Sequence, residues 1–173
     1  TFSAVEDVRN LLPYVPKDVD YLEYNMERGM TPAADYTNMV LSVATFSKLV
    51  RDSGRKFKFG PIRNTWAALE SKGEFAAVVK NCDSVSVQMQ RAWQADPTRE
   101  ALLAEVRPLV KKFKTANPRI KVNIQLWLGR QTVPQMIEGF RTIEEELDLA
   151  VLGTHSNPQG VLQVMQALRG ISE

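Results

Sequence analysis

Ser84-Val-Ser-Val-Gln-Met-Gln90 and Lys121-Val-Asn-Ile-Gln-Leu-Trp127 decide the fold class of this chain. In both, apolar and polar residues alternate with the two-residue period of a β-strand, so successive side chains point to opposite faces. Val85, Val87 and Met89 share one face of the first stretch, while Ser84, Ser86, Gln88 and Gln90 share the other. In the second, Val122, Ile124 and Leu126 oppose Asn123, Gln125 and Trp127. A central strand of a doubly wound sheet has helices on both faces and reads as a nearly continuous apolar run. One apolar and one polar face instead fit a strand that packs helices outside and lines a barrel interior inside.

The flanking segments repeat a strand-then-helix order. Strands are expected at Val19–Asn25, Lys56–Ile62, Ser84–Gln90, Lys121–Trp127 and Leu149–Gly153. Helices are expected from about Ala33 to Val50, as two short pieces around Gly73 within Thr65–Lys80, and over Thr98–Ala116, Val133–Leu147 and Gly160–Leu168. A further helix over Phe2–Leu12 precedes the first strand, with Ser3 and Glu6 as a capping box and Pro13 and Pro16 as its stop. The expected class is α/β, a partial or reduced TIM-like (β/α) barrel with about five parallel strands in one domain over residues 1–173. An open doubly wound parallel sheet is the alternative. Complete barrels typically need about 250 residues, and this chain has 173. Because it opens on Thr1 and a helix, it reads as a processed product or fragment lacking an upstream strand.

Composition narrows the function classes. Lys and Arg number 22 against 20 Asp and Glu, and no dense basic run occurs, so neither a nucleic-acid partner nor a polybasic membrane anchor is expected. No apolar run reaches the roughly 20 residues of a transmembrane segment. Cys82 is the only cysteine and reads as a small buried apolar residue. One His and one Cys offer no metal-ligand spacing, and no Gly-rich dinucleotide or phosphate-loop motif is found, so no metal or cofactor is expected.

Val19-Asp-Tyr-Leu-Glu-Tyr-Asn-Met-Glu27, Thr31-Pro-Ala-Ala34, Val85 to Arg91, Val106-Arg-Pro-Leu-Val110, Ala116-Asn-Pro-Arg119 and Val122 to Leu126 resemble a group of uncharacterised bacterial and archaeal proteins. Those proteins look like glycoside-hydrolase-type TIM barrels and are often exported. The resemblance implies a barrel and an extracytoplasmic, secreted or cell-surface location. It supplies no reaction and no catalytic residue.

If the strand ends converge, the polar residues gathered there are Glu23, Asn25 and Glu27 from strand one, Arg63 after strand two, Gln88 and Gln90 from strand three, and Gln125, Trp127 and His155. Amides can hydrogen-bond hydroxyls and an aromatic ring can stack on a sugar face, so the ligand class indicated is carbohydrate. The same side chains could equally satisfy one another as a polar interior layer. Trp66 and Trp93, just past strands two and three, are either cleft rim or packing. Glycoside hydrolysis by the usual route needs two carboxyl groups about 5–5.5 Å or 6.5–9.5 Å apart. Glu23 and Glu27 are the candidate catalytic residues, yet four residues of strand separate their backbones by roughly 13 Å unless the chain turns sharply after Asn25. No other strand end offers an acid, and Glu144-Glu-Glu146 reads as a solvated helix face. The expected function is a carbohydrate-binding or glycoside-hydrolase-like barrel domain with an incomplete catalytic pair, its catalysis left open. The alternative is a structural or interaction subunit, in which a protein partner or self-association completes the reduced barrel.

Overall fold

Parallel pairing joins β1 (Tyr21–Tyr24) with β2 (Lys56–Phe59), β2 with β3 (Ser84–Gln88), and β4 (Lys121–Trp127) with β5 (Ala150–Thr154). The computed structural model describes residues 1–127, 131–147, 150–154 and 158–168. The chain divides into two compact units, one of residues 1–87 and 113–121, the other of 88–112 and 122–173.

In the first unit the strands follow one another in sequence order, with α2 (Ala33–Thr37) and α3 (Met39–Asp52) between β1 and β2, and α4 (Arg63–Ser71) and α5 (Phe75–Lys80) between β2 and β3. Sequential parallel strands joined by right-handed crossovers put the crossover helices on one sheet face. Accordingly α3 packs against β1, β2 and α5. The apolar face beneath these helices is aromatic. Tyr24 stacks on Phe46 with centroids 4.6 Å apart, Phe46 meets Phe57 at 5.4 Å, and Phe59 meets Trp66 edge-on at 5.2 Å. Trp66 then reaches Phe113 at 4.9 Å, in the last turn of α7 (Arg99–Ala116). Each such pair adds about 0.5–1.5 kcal/mol beyond the burial of its surface. The Lys-Phe-Lys-Phe order of β2 follows from this: Phe57 and Phe59 are fully buried in the aromatic core, so Lys56 and Lys58 take the other face.

Several local expectations are corrected. The first helix, α1 (Val5–Leu11), is not capped by Ser3; its N-cap is Ala4 with no side-chain cap. The acceptor comes from a distant residue, because Asp35 Oδ2 takes the Val5 N–H at 3.1 Å and the Tyr24 hydroxyl at 2.7 Å. Before α1, Phe2 forms a single parallel bridge to Tyr24, so the chain enters as one strand-paired residue and then becomes helical. The expected helix from Ala33 to Val50 is two helices broken at Asn38, whose side chain accepts the Leu41 N–H and caps α3. The expected pair of short helices around Gly73 does form, and Gly73 turns the chain between them at φ +72°.

The second unit carries α6 (Gln90–Ala95), most of α7, β4, α8 (Val133–Leu147), β5 and α9 (Pro158–Leu168). Trp93 is fully buried there, its indole N–H on the Met136 sulfur at 3.4 Å. Strand β4 alternates as read from sequence, with Val122, Ile124 and Leu126 buried and Asn123, Gln125 and Trp127 half-buried. Strand three is shorter than expected. It ends at Gln88, the Met89 N–H bonds to the Gln125 carbonyl at 2.9 Å, and Gln90 begins α6.

Candidate functional site

The polar face of the first unit's sheet is built by strand register. Glu23 on β1 lies beside Lys58 on β2, and Lys58 lies beside Ser84 on β3. One step toward the carboxyl ends, the Gly60 N–H bonds to the Tyr24 carbonyl at 3.0 Å and continues the ladder. Glu23 Oε1 is 3.7 Å from Lys58 Nζ, and the two side chains are only 24% and 14% exposed, so solvent screens this ion pair weakly. The other carboxylate oxygen, Oε2, accepts from the Thr1 hydroxyl at 3.4 Å. The Glu23 carboxyl group lies over Gly60, in the space a Cβ would occupy, and Ser86 Cβ lies 3.3 Å from that same position. Ser84 and Ser86 are both buried on this face. The result is a glycine-floored patch that offers an ammonium donor and a carboxylate acceptor side by side.

Glu27 has a partner of its own at the strand end. The ladder continues past Asn25, with the Ile62 N–H on the Met26 carbonyl at 3.4 Å, and the chain turns only where Met30 and Thr31 N–H groups return to the Glu27 carbonyl. Glu27 Oε1 accepts from the Asn25 side chain at 2.8 Å, while the Thr31 hydroxyl accepts the Glu27 N–H at 3.1 Å. Asn25 and Glu27 thus form a second polar pair at the strand end, and Thr31 beside them is buried. Tyr36, half-buried in the helix that follows, titrates above its ordinary value. Burial is the largest cause, opposed by the nearby Thr65 hydroxyl and the Arg28 charge.

The remaining expected residues fall in both units. Arg63 is exposed at the start of α4. Gln88, Gln125 and Trp127 belong to the second unit and are half-buried on their strands. Gln90 is not a strand residue and does not share the face read for it, because it opens a helix. His155 lies outside the described residues. Trp66 and Trp93 are 4% and 1% exposed, which makes both core residues and removes them from any cleft rim. Cys82 is buried with its thiol on the Val78 carbonyl at 3.3 Å, and burial pushes its titration up, so it is inert packing. Among the described residues no three His, Cys, Asp or Glu side chains are grouped as a metal site requires.

Lys58 and Gly60 are not among the candidate residues read from the sequence, and Ser86 is read there only as a polar-face residue. The signal for Lys58 was present, since a lysine between two core phenylalanines in a strand must point away from them. Gly60 carried no such signal, because its role depends on which side chain lies above it.

Comparison of the chain with family models, curated proteins and solved structures gives no match in any of the three.

Proposed function

We propose that the chain is a carbohydrate-binding domain built as a reduced (β/α) barrel, with the Glu23–Lys58 face as its ligand-contacting surface. The observation that carries this is the largely buried Glu23–Lys58 pair above Gly60. Sugar hydroxyls both donate and accept, and an adjoining carboxylate and ammonium address both functions. Asn25 and Glu27 extend the polar row toward the carboxyl ends of the strands, the end where sites of parallel α/β folds form. The barrel reading is supported by the sequential parallel order of β1, β2 and β3 and by the split between a helix-covered aromatic face and a polar face. The extracytoplasmic location belongs to the same reading and is carried by the family resemblance alone.

Binding is proposed rather than two-carboxylate hydrolysis. Glu23 and Glu27 are each engaged by another side chain, Lys58 for the one and Asn25 for the other, which favours binding over a paired acid and nucleophile. The test is a glycan-binding screen of the whole chain beside its Glu23→Gln variant. Saturable binding that the variant loses supports the reading; binding that the variant retains rejects this face as the site.

A second reading follows from the Phe2 bridge. Phe2 N–H meets the Glu23 carbonyl and its own carbonyl takes the Asn25 N–H, both at 2.8 Å, so one parallel bridge borders β1 on the side away from β2. A strand from a protein partner or a second copy laid along this edge would make the chain a scaffold subunit. A monomeric mass by light scattering across a wide concentration range counts against self-association.

A further inference from the structure

A cleft of about 710 Å³ opens at the opposite, amino ends of the first unit's strands. Its volume falls in the roughly 300–1,000 Å³ range of small-ligand sites. Five cations line it: Arg51 at the end of α3, Lys56 at the start of β2, Lys80 at the end of α5, and Arg119 and Lys121 in the segment entering β4. Asp83 is the one acid in the lining, and its charge is already used. Asp83 Oδ1 accepts from Arg51 at 2.9 Å, and Oδ2 accepts from Arg51 at 3.2 Å and from the Phe57 N–H at 2.8 Å. Arg51 and Asp83 therefore form a neutral brace that ties α3 to the sheet. Among the described residues, no carboxylate lies at ion-pair distance from Lys56, Lys80, Arg119 or Lys121. Lys56 instead sits 5.5 Å from the Tyr21 ring centroid.

Those four uncompensated cations exceed the +2 formal charge of the entire chain, so the remainder is net acidic. Concentrating the excess in one concavity raises the local potential and draws in a multiply charged anion. We propose that this cleft binds a compact oligophosphate, a ligand with two or more linked phosphate groups. Lysines supply point charges and Arg119 a fork of donors, the combination that phosphate oxygens accept. The site shares no residue with the Glu23–Lys58 face, so either can fail without the other.

The experiment is calorimetric titration of the whole chain with inorganic tripolyphosphate, with ATP, a single-stranded oligonucleotide and anionic phosphatidylserine vesicles run beside it. The expected result is one saturable tripolyphosphate site that weakens several-fold as salt rises from about 50 to 200 mM. Lys56→Gln combined with Lys121→Gln should cut affinity by about tenfold or more, and Lys80→Glu alone should do the same. All three positions are exposed, and Lys72→Gln, which lies outside the lining, should change nothing. Equal affinity for ATP and tripolyphosphate makes the phosphate chain the ligand; ATP about tenfold tighter makes it a nucleotide, and both support the proposal. Absence of saturable tripolyphosphate binding overturns it. So does equal weakening by Lys72→Gln, or binding confined to the oligonucleotide or the vesicles.

Discussion

The Glu23 carboxyl group occupies the space that a side chain on Gly60 would need. A residue on one strand thus sets the position of a charged group on its neighbour by having no side chain. Gly60 does not adopt a left-handed conformation, so alanine is compatible with its backbone and the nearest conflicts are with Glu23 and Ser86. Because the carboxylate terminates a flexible side chain, Gly60→Ala should displace it from Lys58 at a stability cost of about 1–2 kcal/mol. Ligand affinity at this face should fall about tenfold. Urea unfolding and glycan titration on the same variant separate the two.

Lys58 sits in a largely buried position where its charge is matched by Glu23. Glu23→Gln removes that match and should destabilise the fold by about 1–3 kcal/mol. The double change Glu23→Gln with Lys58→Met removes both charges and should recover part of the loss. Recovery in chemical denaturation would demonstrate the coupling; strict additivity would deny it.

Asp35 serves two elements at once, taking the first N–H of α1 and the hydroxyl of the fully buried Tyr24. Asp35→Ala should therefore cost about 2–3 kcal/mol, the sum of a lost cap and an unsatisfied buried hydroxyl. Ser3→Ala should stay within about 0.5 kcal/mol, since Ser3 makes no cap in this structure. Denaturation midpoints of the two variants decide between the capping box and the distant cap.

Alkaline pH should weaken the fold in a defined window. Tyr24 titrates above its ordinary value of 10.0, first because it is buried and then because its hydroxyl donates to Asp35. The folded state therefore keeps a proton that the unfolded chain releases. This contribution is complete below pH 10 and is lost as pH rises above it, at about 1.4 kcal/mol per pH unit for each such group. The buried Cys82 thiol, raised from 9.0, adds a loss of the same sign from about pH 9. Tyr24→Phe should make the decline in unfolding free energy between pH 9 and 11 shallower, while lowering stability at pH 7 through the lost Asp35 bond. An unchanged slope would remove Tyr24 from the titration.

In the second unit, a Cβ on Gly139 would stand 2.7 and 2.9 Å from two Trp93 ring carbons and 3.2 Å from a Leu126 methyl. Both neighbours are buried and cannot retreat freely, so Gly139→Ala should cost about 1–3 kcal/mol by overpacking. Denaturation measures that cost.

The period-two alternation made the strands legible, because β2 and β4 obey it to the residue: Phe57 and Phe59 go in, Lys56 and Lys58 go out. Alternation failed at Gln90, where the pattern of strand three runs on by chance into the first residue of a helix. It also hid that the polar side of β3 is buried, since Ser84 and Ser86 are small enough to be covered. What stayed illegible is nonlocal. Asp35 caps a helix 30 residues away, and the cations of the amino-end cleft lie scattered between Arg51 and Lys121, so no stretch of sequence is visibly basic. Trp66 and Trp93, read as either rim or packing, are resolved as packing only by the neighbours the fold brings to them.

The central claim is that the Glu23–Lys58 face receives a carbohydrate, and glycan-array binding of the whole chain beside Glu23→Gln tests it most directly. The account predicts at least one glycan bound saturably by the wild-type chain and weakened about tenfold or more in the variant, at a temperature where circular dichroism shows both folded. No glycan bound, or one bound equally by both proteins, would contradict it.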